Sequence, residues 1–166
     1  NMAKKTVTTK SAEETQQVAA DFVAEILSSS GGGVLRGKHH KKIFGDGAVA
    51  KVVCLWGDLG SGKTTFSQGV AKALGVKEIV NSPTFVVMKE YPLEMKNREA
   101  NLYHIDCYRM RSIEEVLDLG WEEIIADKNN IILVEWPEKI EKILPSGRMD
   151  IRFSVIDYYE RKIEFL

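Results

Sequence analysis

Only two cysteines, Cys54 and Cys107, occur in the chain, both in apolar strand-like runs and without C-x-x-C spacing. This argues against a disulfide framework or a zinc site and fits two buried thiols in a reducing compartment. Charge of one sign is also missing: 23 Lys and Arg against 24 Asp and Glu leave a net charge of −1. No overall field gathers nucleic acid or an anionic membrane surface, so any RNA contact must be local. No apolar run approaches the ~18 residues of a membrane span. The stretch Asn1–Lys10 lacks the hydrophobic core of a signal peptide, and the expectation is a cytoplasmic protein with no membrane association. No internal repeat is visible. Hydrophobic residues, at 44% of 166 positions, suffice for one sizeable core, so a single domain over 1–166 is expected.

The most informative stretch is Gly57-Asp58-Leu59-Gly60-Ser61-Gly62-Lys63-Thr64, a complete G-x-x-x-x-G-K-T phosphate loop. The apolar run Val52–Trp56 precedes it and a helix-like segment, Thr65–Leu74, follows. Strand, glycine-rich turn and helix in that order converge backbone N–H groups on a polyphosphate, and the helix start adds positive potential. Contacts to the nucleotide are assigned to Gly60, Ser61, Gly62, Lys63, Thr64 and Thr65. Lys63 reaches the β- and γ-phosphates, and the Thr64 hydroxyl is placed to ligate Mg²⁺.

Around this loop the chain alternates strands and helices. Lys5–Thr9 reads as an edge strand, and Ser11-Ala12-Glu13-Glu14 as a capping box opening a helix with its apolar face on the sheet. Ser28–Gly47 is rich in Gly and Ser around a basic centre, Lys38-His39-His40-Lys41-Lys42, and reads as a surface loop with a solvated charge cluster. Gly75 stands where a helix ends. Ser82-Pro83-Thr84-Phe85 is either an ordinary proline turn or a switch segment whose hydroxyls sense the γ-phosphate. Phe85–Pro92 and Asn101–Tyr108 are expected to form a hairpin across the polar connection Glu94–Ala100. A capping box at Ser112–Glu115 opens a helical stripe interrupted at Gly120. Ile131–Val134 reads as a strand buried on both faces, and segments 150–156 and 161–165 as a closing antiparallel hairpin.

A phosphate-loop NTPase needs a carboxylate at the end of a buried strand to orient Mg²⁺ and the attacking water. Glu135, directly after Ile131–Val134, and Asp106, after Leu102–Ile105, both qualify. Either has an ordinary alternative: Glu135 as an acid pointing into water, Asp106 as the partner of Arg109 in a surface salt bridge. His104 alternates with Asp106 and reads as a sheet residue.

With Gly57–Thr65, Ser82–Phe85, His104-Ile105-Asp106-Cys107-Tyr108-Arg109 and Glu135-Trp136-Pro137-Glu138 in this order, the chain resembles the TsaE (YjeE) family from about Thr6 to Phe165. The resemblance implies an α/β phosphate-loop NTPase-like three-layer fold, with a mixed, mostly parallel sheet carrying antiparallel hairpins. It also implies Mg-ATP as ligand and the TsaB–TsaD heterodimer as partner, with tRNA an indirect substrate that gains threonylcarbamoyladenosine beside its anticodon. Carried over to matching positions, Lys63 binds phosphates, Thr64 and Glu135 hold Mg²⁺, and Asp106 is needed for hydrolysis. Trp136 matches a residue important for activity, Ser82 and Thr84 lie in the switch segment, and Thr15 and Arg161 fall near further nucleotide contacts. Against the family, Ser28–Gly47 looks like an insertion.

Two other classes compete. A small-molecule kinase of the phosphate-loop class would need an arginine-rich lid to keep water from the transferred phosphoryl group, and none is evident. A GTP-dependent switch would need an N-K-x-D element, whereas Ala126-Asp127-Lys128-Asn129 has the wrong order. No arginine finger is obvious either, so turnover is expected to be slow alone and faster with a partner.

Overall fold

The computed structural model of the chain describes residues 4–28, 49–81, 86–95 and 98–166. In order these form β1 (Lys5–Thr9), α1 (Ala12–Ser28), β2 (Lys51–Trp56), α2 (Lys63–Ala73), β3 (Met88–Met95), β4 (Arg98–Asp106), α3 (Glu114–Leu117), α4 (Trp121–Ala126), β5 (Ile131–Glu135), two 3₁₀ turns (Pro137–Lys139 and Glu141–Ile143), β6 (Met149–Val155) and β7 (Arg161–Phe165). The seven strands make one sheet in the order β1-β7-β6-β2-β5-β4-β3. Its four middle strands, β6, β2, β5 and β4, run parallel, while β7, β1 and β3 join by antiparallel pairing. The architecture is the mixed sheet with antiparallel hairpins that the sequence predicts.

Period-two alternation along the middle strands explains the three layers. Val53 and Leu55 of β2 and Ile131 and Leu133 of β5 enter one core with α1 and α2; Val52, Cys54, Ile132 and Val134 enter the other with α3 and α4. Phe66 links Phe22 of α1 to Phe153 of β6, with ring centroids 5.9 and 5.3 Å away. Helices α1 and α2 approach closely at Gly69, where an added Cβ would lie 2.7 Å from Ala19 Cβ and 2.8 Å from Gln16 Cα. Both thiols are buried, and burial pushes each up to about 12, which leaves them unreactive.

Local signals decide the helix ends. Ser11 Oγ accepts the Glu14 N–H at 3.1 Å, and Glu14 Oε2 accepts the Lys10 N–H at 2.6 Å, a capping box shifted by one residue. Gly75, with φ of 86°, closes α2 by a Schellman turn, the Val76 N–H reaching Ala71 O and the Gly75 N–H reaching Lys72 O. Gly120, with φ of 89°, divides the predicted helical stripe into α3 and α4.

The β3–β4 hairpin is longer than expected. Leu93↔Ala100, Glu94↔Glu99 and Met95↔Arg98 continue the ladder through the stretch read as a polar connection. β3 is an edge strand, where one face and one hydrogen-bonding side meet water, so polar residues and even Pro92 are tolerated. The expected insertion at Ser28–Gly47, beyond Ser28 itself, and the segment Ser82–Phe85, with Ser82 and Thr84, lie outside the described residues. No helix among the described residues is long and apolar enough to cross a membrane.

Candidate functional site

Parallel strands gather their C-terminal ends on one edge of a sheet, and the loops leaving that edge form the site. Here β2 ends in the phosphate loop, β5 in Glu135 and β4 in Asp106, and the register sets Leu55 and Asp106 on either side of Glu135. The same alternation that builds the core turns Leu102, His104 and Asp106, and likewise Leu133 and Glu135, toward the α2 layer.

The phosphate loop is held by close approach. A Cβ on Gly57, where φ is 146°, would lie 2.5 Å from the Phe153 carbonyl oxygen and 2.8 Å from Ser61 Oγ, so only glycine fits. Gly62, with φ of 104°, is the N-cap of α2 and supplies no side-chain cap, the arrangement by which a helix start offers its backbone donors to an anion. Ser61 Oγ is buried and has no hydrogen-bond partner among the described residues, as expected for a group completed by a ligand. Arg161 braces the loop from β7: its Nε donates to Gly60 O at 2.9 Å and its Nη1 to Asp157 O at 3.0 Å.

Lys63 is 5% exposed. Its Nζ donates to the carbonyl oxygens of Gly57 and Asp58 and lies 4.7 Å from the centre of the Trp136 ring. Burial pulls its ammonium below the usual lysine range, against the opposing pull of Glu135 and Asp106. Trp136 has φ 56° and ψ 52°, the only non-glycine residue at positive φ among the described residues. A bulky side chain there costs on the order of 1–3 kcal/mol. The Tyr108 ring, 4.9 Å from that of Trp136, and the turn begun by Pro137 hold it in place.

Glu135 is 2% exposed, and a carboxylate so buried is costly unless donors or cations meet it. Its Oε1 faces Thr64 Oγ1 at 3.4 Å, and its Oε2 meets His104 Nε2 at 2.7 Å. The alternative in which Glu135 points into water is therefore overturned. His104, read as a sheet residue, proves to be completely buried and bonded to this acid. Asp106, half-buried beside Glu135, accepts the Tyr108 N–H at 2.9 Å. Burial raises its carboxyl above the usual range, the Tyr108 N–H opposes the rise, and Glu135 adds to it.

A cavity of about 800 Å³ joins these parts, toward the upper end of the ~300–1,000 Å³ typical of ligand sites. Thr15, Gly60, Ser61, Gly62, Lys63, Thr64, Thr65, Asp106, Glu135, Trp136 and Arg161, all anticipated from sequence, line it. Thr15 does so as a buried residue whose Oγ1 bonds Thr9 Oγ1 at 2.7 Å. Lys10, Tyr108, Tyr158 and Tyr159 line it too and were not anticipated. Thr64 and Glu135 offer two hard oxygens. Among the described residues no group of three or more His, Cys, Asp or Glu gathers for a metal.

Fold and site together define a phosphate-loop nucleotide-binding protein. The family described as threonylcarbamoyl adenosine biosynthesis protein TsaE matches residues 9–163. The chain belongs to the TsaE family, an ATP-binding one. Similar proteins include the tRNA threonylcarbamoyladenosine biosynthesis protein TsaE of Bacillus subtilis, 45% identical over 69% of this chain and 68% of the relative. That of Rickettsia prowazekii is 36% identical over 75% of this chain and 83% of the relative. The crystal structure of Bacillus subtilis YdiB superposes with a TM-score of 0.64 at 30% identity, over 98% of this chain and 84% of that one.

Proposed function

We propose that the chain is a Mg-dependent ATPase of tRNA threonylcarbamoyladenosine biosynthesis, working in the cytoplasm with a TsaB–TsaD heterodimer on a tRNA it does not itself modify. The observation that carries this reading is the convergence of Thr64, Glu135 and Asp106 on one phosphate-loop cavity. The names of its relatives supply the biosynthetic setting.

Loop N–H groups and Lys63 bind the β- and γ-phosphates, and Ser61 completes the cradle. Thr64 and Glu135 hold the cation, which when bound offsets charge on the phosphate oxygens. Asp106, lifted by burial, is suited to take a proton from the attacking water. Trp136 holds Lys63 against the loop, while Arg161 and Thr15 shape the nucleotide end. Ser82 and Thr84 act as a switch whose hydroxyls sense the γ-phosphate. The whole chain acts as one ATPase domain.

ATP turnover and tRNA modification measured with and without purified TsaB and TsaD test the reading. Turnover is expected to rise with the partners, and modified tRNA to require all three proteins. Unchanged turnover together with unmodified tRNA would overturn it.

A further inference from the structure

His104 is a buried titratable group that the proposed roles leave unused. It stands in β4 opposite Lys89 of β3 and Leu133 of β5, fully enclosed, and among the described residues the imidazole's one hydrogen bond runs from Nε2 to Glu135. Nδ1 is buried with no partner among the described residues. A buried N–H without an acceptor costs ~1–3 kcal/mol, so an imidazole with one partner places its proton on the nitrogen that has it. That nitrogen is Nε2, and a carboxylate oxygen is an acceptor only.

We infer that His104 is a positioning residue: its Nε2–H clamps Glu135 Oε2, which turns Oε1 toward Thr64 and fixes the carboxylate to offer a single oxygen to the cation. The inference rests on the cation-binding role proposed for Glu135. Without the clamp, Oε2 loses its 2.7 Å donor and the carboxylate is held less firmly in the orientation that turns Oε1 toward Thr64. Groups that hydrogen-bond a metal-ligating carboxylate typically contribute 10- to 100-fold in metal affinity.

His104→Gln and His104→Asn separate the clamp from simple packing. A glutamine amide reaches the position of Nε2, whereas an asparagine amide stops near that of Nδ1. ADP affinity is read by calorimetry with Mg²⁺ and with EDTA. His104→Gln is expected to retain the parent protein's Mg²⁺-dependent gain within about threefold. His104→Asn is expected to lose about 10- to 100-fold of it while binding ADP normally in EDTA. An asparagine variant with the full gain, or equal losses in both variants that persist in EDTA, overturns the clamp and leaves the proposed function standing. A parent protein that gains nothing from Mg²⁺ overturns the proposed function and the clamp with it. A long-range ¹H–¹⁵N spectrum of the parent protein needs no variant to fold: the proton is expected on Nε2, and a proton on Nδ1 overturns the assignment.

Discussion

Lys63 lies with its ammonium 4.7 Å above the Trp136 ring, on a tryptophan whose backbone is left-handed just before a proline. A residue before proline prefers extended backbone, so this conformation is doubly unfavourable and persists because the neighbours enforce it. Lys63→Ala removes a charge-assisted phosphate contact of ~1.5–3 kcal/mol and should weaken ATP binding about 10- to 150-fold. Trp136→Leu removes only the ring face, of ~0.5–2 kcal/mol, and should weaken it about 2- to 30-fold. Calorimetric titration of the two variants checks the ranking; a larger loss in the tryptophan variant would contradict it.

Asp106→Ala and Glu135→Ala should differ from the lysine variant by separating binding from chemistry. Each is expected to bind ADP normally in EDTA yet lose roughly 100-fold or more in single-turnover hydrolysis with Mg²⁺, the scale of a general base or a positioned charge. Hydrolysis at the parental rate in Glu135→Ala would remove that acid from the site.

Asp106 also makes stability depend on pH. Burial raises its folded-state pKa above the ordinary carboxylate value, so between the two values the folded protein holds the proton more tightly than the unfolded chain. Stability contributed this way is present at acid pH and declines as pH rises through the raised value. Asp106→Asn keeps an acceptor for the Tyr108 N–H but carries no charge. The ligand-free variant should melt higher than the parent at neutral pH, with the difference shrinking toward acid. A gain that grows on acidification would contradict the sign.

Two glycines give opposite readouts for the same change. Gly57→Ala drives a methyl into the Phe153 carbonyl and should distort the phosphate loop, weakening ATP at least tenfold. Gly69→Ala meets the backbone of α1, so ~1–3 kcal/mol of overpacking outweighs the ~1 kcal/mol of helix propensity gained. Urea denaturation should show a net loss for Gly69→Ala with ATP affinity almost unchanged. A stabilised Gly69→Ala would mean that α1 yields.

The parts of the site legible in the sequence are those encoded within a few residues. The phosphate loop, the capping box at Ser11–Glu14, Gly75 and Gly120 each act through backbone geometry that their own residue types dictate. Glu135 was legible because an acid ending so apolar a strand needs a partner. The identity of that partner was not, since the contact with His104 depends on the register of β4 against β5, which joins segments about thirty residues apart. The left-handed Trp136 and the extended β3–β4 hairpin were hidden for the same reason: tertiary surroundings override local preference.

Strand β2, which carries the phosphate loop, and strand β5, which carries Glu135, are neighbours although Lys51 pairs with Ile131, eighty positions further along the chain. A triphosphate gripping both would therefore bind only molecules in which that distant parallel pairing has formed, and occupancy would shift the unfolding equilibrium as a whole. Amide exchange slowed by nucleotide should accordingly deepen along the interior strands rather than only in the loop, so the ligand would serve as a brace across the centre of the sheet.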